Sequence, residues 1–330
     1  EEGVIKLNTN ENPYPPSEKI KEAMSEIKNL RKYPDPAATK LVEAIASYHG
    51  FDKEEVFVGV GSDDVLAVAF MTFFNGKKPI FFPDITYSFY PVWAELFGIP
   101  YEKKAVNDVF EIQKEDYYAE NGGVVFPNPN APTGAFLSLE VVEDIIKHNQ
   151  DVVVIVDEAY IDFGGDTAKE LTRKYDNVLV VQTYSKSRSL AGLRIGYAIG
   201  NKELIKAMND VKYSYNSYTM NEPSIVLGTA VLEDEEYFQE TRNKIIDTRE
   251  WFQIEMRKIG FSFADSKANF IFATHESVPA KEIFEAAKKA KIYVRYFDQP
   301  RINNYLRITI GTREEMETLL DFLKEFTATK

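Results

Sequence analysis

Cysteine is absent from the 330 residues, which excludes disulfides and thiolate metal sites and fits a reducing compartment such as the cytoplasm. Histidine is scarce: His49, His148 and His275 are scattered without ligand spacing, so no metal is expected. Positive charge is in deficit, with 39 Lys and Arg against 52 Asp and Glu and a formal net charge of −13. That balance argues against a nucleic acid or an anionic membrane as partner, because phosphate backbones need a positive surface. A local basic pocket for a small anion is still compatible with it. No apolar run reaches the roughly 20 residues of a membrane span. The longest, Val65 to Phe74 (VLAVAFMTFF), is broken by Thr72 and reads as a buried helix. The first residues show no positively charged, apolar leader, so no signal peptide is expected.

What the chain does have is alternation. From about residue 31 to 230, short apolar runs at 56–58, 79–82, 124–126, 152–156, 178–181 and 195–199 read as strands, and helical periodicity fills the stretches between them. Such alternation predicts an α/β fold with a mostly parallel central sheet, whose ligand site lies outside the carboxyl ends of the strands. A long charged helix is expected over 235–258, with Phe238, Thr241, Ile245, Thr248 and Phe252 on one stripe. Two or three strands and two helices follow it. The chain is long for one core, and the expected division is a large domain over 31–230 and a smaller α+β domain made of 1–30 and 231–330. Ser17 is the expected N-cap of a helix over 18–29.

Chemistry-bearing residues gather just past those strands. TYSKSRSLAGLRIGY, 183–197, follows the strand NVLVVQ and places Lys186 among Thr183 and Ser185, with Arg194 eight residues beyond the lysine. An amine at a strand end serves nucleophilic or Schiff-base chemistry, and hydroxyls with a guanidinium fork suit a phosphate. In VVVIVDEAYIDF the strand closes on Asp157, and Tyr160 follows. A carboxylate on that rim can hold a heterocyclic nitrogen protonated. VVFPNPNAPTGAF, 124–136, is a rigid turn after another strand. FVGVGSDDVLAVAF runs Gly59, Gly61 and Ser62 into a helix whose free N–H groups suit an anion, although its spacing matches neither a dinucleotide fingerprint nor a P-loop.

The PTG turn, DEAY, and SK with an arginine eight residues on, in that order, resemble the fold-type I pyridoxal-phosphate aminotransferases of the aspartate aminotransferase superfamily. The resemblance implies pyridoxal 5'-phosphate as cofactor, Lys186 as the Schiff-base lysine and proton carrier, Asp157 at the ring nitrogen and Tyr160 at the phenolic oxygen. Thr183, Ser185, Arg194 and the backbone of Gly61, Ser62 and Asp63 would hold the cofactor phosphate, and Tyr87 would stack on the ring. There is one departure. Where much of the superfamily has asparagine immediately before PTG, this chain has Ala131, with Asn130 one place earlier. Either Asn130 reaches round to the phenolic oxygen, or Tyr160 works alone.

KLNTNENPYPPS, RKYPDP and YVRYFDQPRINNYLRITIGTREE are further similar to the histidinol-phosphate aminotransferases. That resemblance implies a homodimer in which Tyr33 crosses to the partner's cofactor phosphate. It also implies that Arg295 and Arg307 bind substrate anions, with Asn12 or Tyr14 at the phosphate end; Arg301 is read as solvated rim. An amino donor such as glutamate and a phosphorylated oxo substrate, imidazole-acetol phosphate, would be the small-molecule partners. An aromatic aminotransferase, a threonine-phosphate decarboxylase and a non-catalytic ligand sensor are the alternatives.

Overall fold

The computed structural model describes residues 3–28 and 30–329. Asn29, the expected end of the first helix, and the outer limits 1 and 330 of the small domain lie outside the described residues. In chain order the strands are β1 (Ile5–Lys6), β2 (Val56–Gly59), β3 (Ile80–Pro83), β4 (Tyr101–Lys104), β5 (Val124–Pro127), β6 (Val154–Asp157), β7 (Val178–Thr183), β8 (Gly196–Gly200), β9 (Phe261–Ser262), β10 (Phe270–His275), β11 (Ile292–Tyr293), β12 (Arg295–Tyr296) and β13 (Leu306–Thr309). The α-helices are α1 (Glu18–Ala23), α2 (Thr39–His49), α3 (Ser62–Phe73), α4 (Phe89–Phe97), α5 (Leu139–Lys147), α6 (Lys202–Tyr215), α7 (Glu222–Ala230), α8 (Glu235–Lys258), α9 (Ala280–Lys289) and α10 (Arg313–Ala328).

Seven strands form one sheet in the order β2-β8-β7-β6-β5-β3-β4, parallel from β7 to β4, with β8 antiparallel to both neighbours. The central strands are buried on both faces, which is why they read as unbroken Val, Ile and Leu. Register then does the positioning. Pro127 of β5, Asp157 of β6 and Val181 of β7 lie side by side, so the Asn-Pro turn, DEAY and the TYSK segment all leave from one rim. The strand expected from Val152 begins at Val154, because Val152 closes a turn on the carbonyl of Asn149. The strand β4 (YEKK) has no apolar pattern; it is the sheet's edge, where charged side chains are tolerated and block further pairing.

A second, antiparallel sheet, β12-β13-β10-β9, is covered by α8, α9 and α10, whose Ile245, Phe252, Ile283 and Leu319 meet Phe270 and Ile308 in one core. The N-terminal segment divides between the two sheets. β1 pairs with β11, and Leu7 enters the core of the smaller sheet, whereas Ile20 and Ala23 of α1 pack with α2 and α7 beside the larger one. Ser17 sits at the N-cap of α1 in extended conformation, yet its hydroxyl makes no capping bond. The helix ends at Ala23 and tightens into a 3₁₀ turn over 24–26. Arg249 of α8, 1% exposed, donates through Nη1 to the carbonyls of Phe163 and Ala268, both at 2.8 Å, and ties the helix to the segment after DEAY. Among the described residues no helix is long and apolar enough to cross a membrane, and no group of three or more His, Asp or Glu could hold a metal ion.

Candidate active site

The rim of the larger sheet gathers four kinds of group. The first is an anion cradle. Gly61 stands at the N-cap of α3 with φ of 84° and supplies no side-chain cap, which leaves the helix's first N–H groups facing outward. Across from it, Arg194 in a left-handed conformation (φ 53°) donates to Ser185 Oγ at 3.3 Å and pairs with Asp63 Oδ2 at 3.2 Å. Thr183 Oγ1 donates toward Ser185 Oγ at 3.0 Å and accepts from the Ser185 N–H at 3.2 Å. A Cβ at Gly61 would collide with the Arg194 guanidinium, and one at Gly196 would collide with Ser62 N, so both glycines allow the two walls to approach. The residues expected at a phosphate, Gly61, Ser62, Asp63, Thr183, Ser185 and Arg194, are therefore brought together.

The second group is a buried carboxylate. Asp157 is 5% exposed and accepts from Tyr90 Oη at 2.8 Å and the Ala159 N–H at 3.3 Å. Among the described residues no cation pairs with it, and desolvation pushes its pKa from 3.8 up to about 6, against the lowering effect of Tyr90 and Ala159. Beside it, Tyr87 donates to Asp63 Oδ1 at 2.7 Å and stacks at 26° on Phe89; burial first, then Asp63, pushes its phenol well up. Tyr90 was missed in the sequence. Its spacing of three from Tyr87 in PDITYSFY was the available signal, masked by an aromatic-rich segment.

The third group surrounds Lys186. Its Nζ donates to the carbonyl of Thr9 at 3.3 Å and lies 5.7 Å from the centre of the Tyr160 ring. Asn12 donates through Nδ2 to the carbonyls of Lys186 and Ser187, both at 3.1 Å, and its Oδ1 accepts from the Tyr14 N–H at 3.0 Å. This corrects the expectation for Asn12: its amide is committed to the lysine loop rather than offered to a substrate. Tyr14 packs on the small core under Lys244, and burial raises its pKa. Asn130 does not reach round. Both hydrogens of its amide are used inside the turn, on the carbonyl of Ile85 at 2.9 Å and Thr133 Oγ1 at 3.0 Å.

The fourth group faces from the smaller sheet. Arg295 and Arg307 are directly opposite across β12 and β13, a like-charge juxtaposition that costs stability unless an anion answers it. Arg307 Nη2 donates to the carbonyl of Asn8 at 2.9 Å, while its Nε is buried with no partner. Desolvation, then Arg295, lowers its pKa. Both arginines line a pocket with Tyr87, Ala131, Lys103 and Thr9, the last being the residue that receives Lys186. Arg301 lies exposed on the rim, as expected, and is anchored there: it pairs with Asp84 Oδ2 at 2.9 Å and donates to the carbonyls of Val106 and Asn107. Tyr33 is 81% exposed and meets Tyr218 at 4.7 Å between ring centres.

Comparison with known proteins shows the family. Residues 2–323 match the family described as aminotransferase class I and II. The chain is 50% identical over 329 residues to the histidinol-phosphate aminotransferase of Lactococcus lactis subsp. cremoris strain MG1363, covering 99% of this chain and 92% of the relative. Its fold is similar to that of the histidinol-phosphate aminotransferase from Clostridium acetobutylicum, with a TM-score of 0.91 at 23% identity, over 99% of this chain and all of that one (100%). It is also similar in fold to the histidinol-phosphate aminotransferase from Sinorhizobium meliloti in complex with pyridoxal-5'-phosphate, with a TM-score of 0.89 at 21% identity, over 98% and 91% of the two chains.

Proposed function

We propose, from the premise that the chain belongs to the class I and II aminotransferases and within them to the histidinol-phosphate aminotransferases, that it exchanges an amino group between L-histidinol phosphate and 2-oxoglutarate. The observation that carries the substrate class is the opposed pair Arg295 and Arg307, one with a buried, unpartnered Nε, facing a pocket that opens onto the residue holding Lys186. Two guanidinium forks accept either the phosphate monoester of one substrate or the carboxylates of the other in turn.

The donor set fits pyridoxal phosphate. Ser185, Thr183, Arg194 and the uncapped start of α3 suit its phosphate, and Tyr160 suits its phenolic oxygen. Asp157, buried without a cation, suits a protonated ring nitrogen. Bound, the cofactor supplies an electron-withdrawing ring that stabilises negative charge at the substrate's α-carbon. Lys186 Nζ takes the α-proton and carries it to its new position. General acid–base transfer by a placed amine contributes typically ~10²- to 10⁴-fold. Asp157 keeps the proton on the ring nitrogen, Tyr87 covers the ring face, and Arg307 with Arg295 fixes the substrate so that its α-hydrogen meets the lysine.

This reading uses a large domain over 31–230, a small one from 1–30 and 231–330 whose α1 leans on the helices of the larger sheet, and a cytoplasmic homodimer in which Tyr33 reaches the other subunit's phosphate cradle. The exposed Tyr33 and Tyr218 pair supports that role.

With 2-oxoglutarate as acceptor, kcat/KM for L-histidinol phosphate exceeds that for L-phenylalanine by at least ~10²-fold, since anchors built for a phosphate are left unpaired by an analogue lacking it. Equal values would make the chain an aromatic aminotransferase, and carbon dioxide released from threonine phosphate would make it a decarboxylase. Gly61→Ala, by displacing Arg194, weakens pyridoxal phosphate binding by about tenfold to a hundredfold in equilibrium dialysis, the cost of one or two charge-assisted hydrogen bonds.

A further inference from the structure

Tyr160 has one hydroxyl proton and two lone pairs, so a donor bound to its oxygen decides where that proton points. The ring is fixed by packing: it is 9% exposed and meets Phe270 edge-on, at 5.1 Å and 89°. The hydroxyl is held by a residue from the far end of the chain. Asn10 Nδ2 donates to Tyr160 Oη at 2.9 Å.

Asn10 is 1% exposed and every polar group it has is engaged. Its N–H donates to Thr309 Oγ1 at 3.0 Å, and that hydroxyl returns its only proton to Asn10 Oδ1, also at 3.0 Å. Its carbonyl accepts from Asn269 Nδ2 at 3.0 Å. The Thr309 bond fixes which end of the amide is which, leaving Nδ2 no face but the one toward Tyr160. The backbone at Asn10 has φ of 57°, a left-handed conformation that asparagine tolerates better than most residues. With Oη accepting from Asn10, its own proton has no acceptor among the described residues, and Lys186 Nζ lies over the ring, 5.7 Å from its centre.

We propose that Asn10 is a positioning residue of the reaction: it orients the Tyr160 hydroxyl proton toward the cofactor's phenolic oxygen, in a chain whose turn carries Ala131 and whose Asn130 amide is used elsewhere. This rests on the reading of Tyr160 given above. Thr309 acts one step further back, by holding the amide of Asn10.

The test is the pH titration of the bound cofactor's absorption, with no substrate present, alongside thermal melting. A hydrogen bond donated to a charged oxygen favours its charged form, so losing it moves the midpoint up. Asn10→Gly keeps the left-handed backbone and removes the donor. It raises the midpoint on the order of one pH unit, the size of one such bond, and Tyr160→Phe raises it by as much. The double variant shows no further shift, because the two residues act as one unit. Thr309→Val, which frees the amide to turn, gives a smaller shift in the same direction. If Tyr160→Phe moves the midpoint while Asn10→Gly and Thr309→Val only lower the melting temperature, Asn10 is structural and the inference fails with the reading of Tyr160 intact. If Tyr160→Phe itself leaves the midpoint in place, both fail.

Discussion

Lys186→Ala lowers turnover of L-histidinol phosphate by about 10⁴-fold, the upper range of what a placed proton carrier contributes, and leaves the thermal stability of the cofactor-free chain nearly unchanged. The two halves of that result have separate causes. The lysine's side chain makes a single 3.3 Å bond to the carbonyl of Thr9, and a bond of that length adds little to folding. Nothing else on the rim can replace its chemistry. In the proposed mechanism Asp157 serves the ring nitrogen, Tyr160 is held by Asn10, and the Arg194 and Arg307 guanidinium groups serve anions. Lys186→Arg, which keeps the charge but cannot cycle a proton, is expected to be as inactive as the alanine variant. Steady-state rates on cofactor-loaded protein and scanning calorimetry on cofactor-free protein check the two parts. A variant retaining a tenth of the parent's turnover would remove Lys186 from the mechanism.

Asp157→Asn has the second large effect, in opposite directions on stability and activity. In the cofactor-free chain the Asp157 pKa is raised from 3.8 to about 6, chiefly by desolvation. A carboxyl that holds its proton more tightly folded than unfolded gives its full contribution below pH 3.8, and that contribution is lost as pH rises through about 6. Above that point the protein carries a buried, unpaired carboxylate at a cost of roughly 3 kcal/mol, two pKa units at 1.36 kcal/mol each being the scale. Asparagine has the same shape and no charge. At pH 8 the cofactor-free Asp157→Asn protein melts above the parent, and below about pH 4 the two converge. Turnover moves the other way, falling by about 10²- to 10³-fold, as expected when a preorganised charge is removed from the site. Glu158, also fully buried with its pKa raised to about 7, is present in both proteins and cancels in the comparison. Equal melting at every pH would mean that Asp157 is not strained in the free protein.

The parts of this site that sequence made legible are those whose signal is local. Strands buried on both faces show as apolar runs, and the proposed catalytic groups close or follow them, so Asp157 and Lys186 stand where an α/β sheet places chemistry. What escaped reading depends on contacts between distant segments. Asn10 meets Tyr160 across 150 positions and Thr309 across 299, and LNTNEN has no periodicity to announce either. NENPY suggests Asn12 or Tyr14 at the substrate by its place in the chain alone, whereas the Asn12 amide braces the carbonyls of Lys186 and Ser187. Arg301 is exposed on the rim as its sequence context suggests, but the contacts that anchor it, Asp84 and two carbonyls, lie about two hundred positions away and leave no local signal. The edge strand YEKK fails the apolar test because an edge is where water reaches the sheet.

The most direct measurement mixes cofactor-loaded protein with L-histidinol phosphate in the absence of an oxo acid, follows the absorption band of the bound cofactor, and then adds 2-oxoglutarate. The account predicts that the band is lost within the mixing experiment and restored by the oxo acid, and that Lys186→Ala shows neither change on that timescale. A band that L-histidinol phosphate leaves unaltered, in protein that binds the cofactor fully, would contradict it.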